Sequence, residues 1–196
     1  MSRARAGTLA WLALATALGA AALLAWPVTP AWLEWQPARA LHEPWRAFSA
    51  AAVYYSALHL GANLAGTALV GALGVVAELP RRSTLAWLAA WPLTQLGLLL
   101  RPELARYGGL SGVLHAGVAI AAVHVIARGP ARRRVIGAAI LLGLVAKVVS
   151  ESPWGPVLQQ RAGWDIAVAP LAHATGLAAG LLCAVLALAL PRRCDD

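Results

Sequence analysis

Ser111 lies in the run Tyr107-Gly108-Gly109-Leu110-Ser111-Gly112-Val113-Leu114-His115. A serine becomes a nucleophile near neutral pH when a base takes its proton, and a histidine within hydrogen-bond reach is the usual base. Gly109 and Gly112 remove side chains on either side, so a substrate backbone or a second helix can come close. A helix beginning at Ser111 also leaves its first N–H groups without intrahelical partners, which suits a developing oxyanion. Taken alone, Gly-x-Ser-Gly is equally ordinary packing vocabulary in a glycine-rich membrane protein. The candidate base is His173, in Ala172-His173-Ala174-Thr175-Gly176-Leu177-Ala178-Ala179-Gly180. His59 and Asn63 are four residues apart, hence on one helix face, and are candidate donors to the oxyanion; hydrogen bonding between helices is the competing role. Lys147 and Glu151 share that spacing and read as a structural ion pair. No acid is placed to complete a Ser-His-Asp set, so the expectation is a Ser111–His173 dyad. His115 and His124 read as packing or hydrogen-bonding residues. Nothing has the spacing of a metal site, and no cofactor is expected.

The elements that must position these residues are membrane helices. Of 196 residues, 60% are hydrophobic and 12% charged, with a mean hydropathy of +0.68. A soluble domain carries roughly twice that share of charge. The apolar residues fall into runs at about 7–26, 56–77, 84–100, 111–127, 135–151 and 170–190. Runs of that length suit a hydrocarbon core of roughly 30 Å. The expectation is an all-α membrane protein, a six-helix bundle forming a single domain over residues 1–196. The first run has a basic start like a leader peptide. It is kept as a helix because an even number of spans is needed to hold the arginine clusters on one side.

The net charge of +8 could suggest a nucleic-acid partner, but its distribution argues for topology. Arg3, Arg5, Arg81, Arg82, Arg128, Arg132, Arg133, Arg134, Arg192 and Arg193 fall on one side, ten of the sixteen basic residues. Arg39, Arg46, Arg101, Arg106 and Arg161 fall on the other, with most of the acids. This positive-inside pattern puts both termini in the cytoplasm. The partner it implies is the lipid bilayer and not nucleic acid. Cys183 and Cys194 are not placed for a disulfide. Two aromatic outer loops, 28–55 and 153–168, belong at the headgroup level and are candidate gates, with Trp45-Arg46 a plausible anchor in the first.

Counting helix turns back from the cytoplasmic arginines brings His59, Asn63 and His173 to the outer end of their spans, level with Ser111. Gly176 and Gly180 form a small-xxx-small face below His173 that lets a neighbouring helix approach closely. If that face packs on the fourth span, His173 reaches Ser111. Four polar residues from three helices then meet at one depth. The chemistry they suit is acyl transfer at a peptide bond.

His59-x-x-x-Asn63, Gly109-x-Ser111-Gly112 and Ala172-His173-x-x-Gly176-x-x-x-Gly180 stand in the order, and on the helices, of the rhomboid intramembrane serine proteases. The resemblance covers roughly residues 45–190. It implies Ser111 as nucleophile, His173 as general base and acid, and His59 with Asn63 on the oxyanion side. A closer resemblance is to the rhombosortase branch, on the wording Tyr107 to His115 and the Lys147, Glu151 pair. Ala116 departs from the glycine often found there, and Gly117 follows one place later. That branch implies a bacterial inner-membrane enzyme. Its partners would be exported protein substrates with a C-terminal tail of Gly-Gly, a membrane helix and a basic end. Other readings are a general rhomboid protease, an inactive rhomboid-like protein that escorts membrane helices, and a small transporter. The last lacks an inverted repeat.

Overall fold

The computed structural model describes residues 3–27 and 31–190, so Arg192, Arg193 and Cys194 lie outside the described residues. Among these residues there are seven α-helices: α1 (Arg3–Ala25), α2 (Arg46–Ser49), α3 (Ala57–Val76), α4 (Arg81–Leu96), α5 (Ser111–Arg128), α6 (Ala131–Ser150) and α7 (Pro170–Ala189). The long helices α1 and α3 to α7 lie on the six expected runs, and α2 is a single turn within the first long loop. Five segments are long and apolar enough to cross a membrane: Arg5–Ala25, Ala57–Val76, Arg81–Leu100, Ser111–Arg128 and Pro170–Ala189. The long helix outside this set is α6, whose first turns carry Arg132, Arg133 and Arg134 and whose far end carries Lys147. These charges dilute an otherwise apolar stretch. The chain is an all-helical, multi-pass membrane protein.

The centre of the bundle is α5, which packs against α3, α4, α6 and α7. Its residues Gly112 to Gly117 and Ala119 to Ala122 are all buried, and all but His115 are small or apolar, as so crowded a position requires. Two tryptophans rivet the other helices to it. Trp11 of α1 donates its indole N–H to the Val70 carbonyl of α3 at 2.9 Å and stacks on Trp87 of α4, ring centres 4.4 Å apart. Trp87 in turn donates to the Val113 carbonyl of α5 at 2.8 Å. A buried indole N–H costs free energy unless it finds an acceptor, so these two bonds fix the rotation of each helix.

The α5–α7 contact is closer still. A Cβ on Gly112 would lie 2.5 Å from the Ala172 carbonyl oxygen, and one on Gly180 would lie 2.6 Å from that of Ala116. A Cβ on Gly176 would collide with the Gly112 carbonyl. Backbone therefore meets backbone along this seam. The separation of the two helices is set by the absence of side chains there.

The first long loop folds back over the start of α5. Arg46 is buried and donates to the carbonyls of Ala31 (2.9 Å) and Glu34 (2.8 Å), and it pairs with Glu43. Trp45, by contrast, is half exposed. Trp35 and Tyr107 exchange backbone hydrogen bonds of 2.8 Å each way, and Gly109 N–H donates to the Ala50 carbonyl at 2.8 Å. The loop thus holds residues 107–109, which lead directly into Ser111.

Candidate active site

Ser111 is the first residue of α5. Its N-cap, Leu110, has helical backbone angles and offers no side-chain cap to the N–H groups that follow. Just before it, Gly109 adopts φ +131°, where a side chain is strained, and a Cβ there would lie 2.8 Å from His59 Nε2. Glycine at 109 is therefore required twice, by backbone conformation and by space. Burial pushes the phenol of Tyr107 up to about 12, with smaller opposing effects from Ser111 and the Gly112 N–H. It stays protonated and donates to the Gly109 carbonyl at 3.4 Å.

His173 is the fourth residue of α7, which begins at Pro170. Proline is favoured in a first helical turn because its missing N–H has no intrahelical partner to lose. The seam of small residues below brings α7 close enough for His173 Nε2 to stand 2.9 Å from Ser111 Oγ. That is hydrogen-bond reach for a base and a nucleophile. Both histidine nitrogens are engaged, because Nδ1 lies 2.5 Å from Glu151 Oε2.

The expectation that no carboxylate reaches the pair is therefore corrected. Glu151 follows the last turn of α6, and its other oxygen pairs with Lys147 Nζ at 2.7 Å. The Lys147–Glu151 ion pair exists, but it uses only one of the two carboxylate oxygens. His115, expected to pack or to hydrogen-bond, does both. Its ring stacks on His173 with centres 4.3 Å apart, its Nδ1 lies 2.6 Å from the Ser111 carbonyl, and its Nε2 lies 3.0 Å from Lys147 Nζ. The sequence held a signal for both. Glu151 stands at the same end of its helix as Ser111 and His173, and His115 is one turn from Ser111 on the same face.

His59 and Asn63 line the same cavity as Ser111 and His173. Neither is hydrogen-bonded to Ser111: Asn63 Nδ2 donates to the His59 carbonyl at 2.8 Å, one turn back in α3. His59 Nδ1 and Asn63 Oδ1 are buried without a hydrogen-bond partner in the protein.

The cavity has a volume of about 820 Å³. Polar groups from α3, α5, α6 and α7 gather at one end, while Leu69, Val70, Leu114, Val118 and Leu144 form an apolar wall away from them. Among the described residues the first long loop contributes Tyr55 to the lining, whereas the second contributes Leu158, Arg161, Trp164 and Ile166 to Ala169. The second loop is thus the main cover. Among the described residues no group of three or more His, Cys, Asp or Glu side chains could hold a metal ion.

Fold and site define a multi-pass helical membrane protein with a hydrogen-bonded serine–histidine pair in a large, mainly apolar cavity. A family profile, the Rhomboid domain, matches residues 41–190. The chain belongs to the rhomboid family, whose members are intramembrane serine proteases. No match to a curated protein accompanies it.

Proposed function

We propose that the chain is an intramembrane serine endopeptidase that removes C-terminal membrane-anchoring tails of the Gly-Gly type from exported proteins, near the outer face of a bacterial inner membrane. The observation that carries the reading is the 2.9 Å contact of Ser111 Oγ with His173 Nε2 at one end of a cavity whose remaining wall is apolar. Ser111 Oγ attacks the scissile carbonyl carbon as His173 Nε2 takes its proton. The carbonyl oxygen becomes an oxyanion beside the uncapped N–H groups of α5 and the side chains of His59 and Asn63. His173 then returns the proton to the departing amide nitrogen, which leaves with the membrane tail. Water attacks the acyl-enzyme with His173 again as base and releases the shortened protein as a carboxylate. The tail specificity rests on the resemblance of residues 107–115 and of the Lys147, Glu151 pair to the rhombosortase branch. In this reading α6 crosses the membrane as a sixth span and both termini are cytoplasmic.

The test is co-expression with a tail-bearing reporter. Ser111→Ala and His173→Ala each abolish cleavage while the protein still accumulates in the membrane, and a fluorophosphonate labels the unmodified protein at Ser111. Undiminished cleavage by either variant refutes the pair. Labelled protein that ignores the tail reporter but cuts other membrane helices refutes the tail specificity alone.

A further inference from the structure

Five contacts form a closed path through the site. Ser111 Oγ meets His173 Nε2 at 2.9 Å, and His173 Nδ1 meets Glu151 Oε2 at 2.5 Å. Glu151 Oε1 meets Lys147 Nζ at 2.7 Å, and Lys147 Nζ meets His115 Nε2 at 3.0 Å. His115 Nδ1 returns to the Ser111 carbonyl at 2.6 Å. The proton positions follow from donor and acceptor capacity alone. A carbonyl only accepts, so His115 carries its proton on Nδ1. An ammonium only donates, so His115 Nε2 is bare and accepts from Lys147. An ionised carboxylate only accepts, so Glu151 takes one proton from Lys147 and one from His173 Nδ1. His173 Nε2 is left bare, facing the Ser111 hydroxyl. That is the tautomer a general base requires.

We propose that Glu151 is a positioning residue for His173, held by Lys147 and His115, so that the site works as a serine–histidine–glutamate set closed into a ring. The proposal rests on the reading of Ser111 and His173 given above. A simple i, i+4 surface pair would leave the second carboxylate oxygen to solvent. Here it is spent on the base, with the Glu151 side chain only 20% exposed and that of His173 9% exposed. The ring joins α5, α6 and α7, so the orientation of His173 does not depend on its own helix alone. It also disposes of charge. Glu151 stabilises the imidazolium that forms when Ser111 loses its proton. Lys147 offsets the carboxylate charge, so the proton rests on His173 and does not pass on to Glu151. Stacking against neutral His115 adds no repulsion. The groups facing the Glu151–His173 pair are His115 and Ser111 of α5, Lys147 of α6, His59 of α3, and Arg161, whose guanidinium donates to the Glu151 carbonyl at 2.5 Å.

The experiment uses the full chain in detergent micelles. It measures fluorophosphonate labelling rates and steady-state cleavage of a synthetic peptide ending in Gly-Gly, an apolar run and arginines. Glu151→Gln keeps the volume but offers a neutral amide. Its labelling rate and kcat fall by roughly 10²- to 10³-fold while KM stays within about threefold, and Glu151→Asp recovers at least about tenfold of the loss. With the carboxylate gone, the acid limb of the pH–rate profile moves to lower pH, which a purely structural loss would not cause. Nitrogen NMR of the unmodified protein places the His173 proton on Nδ1. A proton on Nε2 overturns the proposal however the variants fold. Labelled wild-type protein with Glu151→Gln within about threefold of it and an unmoved profile overturns the ring but spares the serine–histidine reading. Wild-type protein that neither labels nor cleaves overturns both.

Discussion

The α5–α7 seam makes the distance between Ser111 and His173, the proposed nucleophile and base, a function of side chains that are absent two turns away. Gly180→Ala tests this. The added methyl would lie 2.6 Å from the Ala116 carbonyl oxygen and 2.7 Å from Ala116 Cα, against an ordinary contact of at least 3.4 Å. At that level α7 must retreat by about 0.8 Å. If it moves as a rigid rod, the 2.9 Å contact of Ser111 with His173 opens to about 3.7 Å, beyond proton-transfer reach. If instead it pivots at Gly176, the lever arms are about 6 Å below and about 4.5 Å above, at 1.5 Å per residue. His173 then moves by about 0.6 Å in the opposite sense, into the Gly112–Ala172 contact. Either way the base is displaced by more than half an ångström, and misplacement of about 1 Å costs roughly 10²-fold in rate. The expected outcome is a 10- to 100-fold slower fluorophosphonate labelling, about 1–3 kcal/mol lower stability, and little change in KM. Gly143→Ala is the control, because a methyl there meets nothing within 4 Å and should leave labelling unchanged. A folded Gly180→Ala protein that labels within about twofold of wild type refutes the claim that this seam sets the catalytic distance.

Three further substitutions probe the rest of the frame. Gly109→Ala combines φ +131° with a Cβ 2.8 Å from His59 Nε2, so it should cost about 1–3 kcal/mol of stability and depress labelling, both readable by thermal melting and probe kinetics. Arg46→Met leaves the carbonyl of Ala31 and the buried carbonyl of Glu34 without their donor and should lower stability by about 1–3 kcal/mol, with limited proteolysis reporting cleavage first in residues 31–56. Asn63→Leu removes a buried oxygen that has no partner along with the Nδ2 bond to the His59 carbonyl, so melting should change little, while cleavage falls by about 10-fold or more. A coupled loss of both would contradict a role for Asn63 toward substrate.

The serine and the histidine were legible because a membrane helix tolerates few polar groups, so each one left in an apolar run stands out and can be ranked by depth. Helix length did the rest: the turns counted from the arginine clusters bring His59, Ser111 and His173 to one end. What counting could not supply was direction. Glu151 was visible as a partner for Lys147 along its own helix, but its second oxygen depends on how the end of α6 leans toward α7, which no periodicity encodes. His115 reads as a packing or hydrogen-bonding residue, but its stacking on His173 is a fact about two helices. Arg46 was noticed beside Trp45 as an interfacial anchor, yet it turns inward and ties loop carbonyls together. A four-residue helix such as α2 leaves too short a pattern to be read at all.

The two halves of the site differ in a way that bears on how it works. On the base side every polar atom from Ser111 Oγ around to the Ser111 carbonyl is paired. A fully satisfied network is stiff, and this one is buried at His173 and reaches the surface at the half-exposed Lys147. On the oxyanion side His59 Nδ1 and Asn63 Oδ1 have no partner, and the first N–H groups of α5 have no side-chain cap. In the proposed reaction the paired half fixes where the proton goes before substrate arrives. The first N–H groups of α5, as donors, gain most in that proposed reaction when the substrate carbonyl becomes an oxyanion, so their binding energy falls on the transition state more than on the ground state.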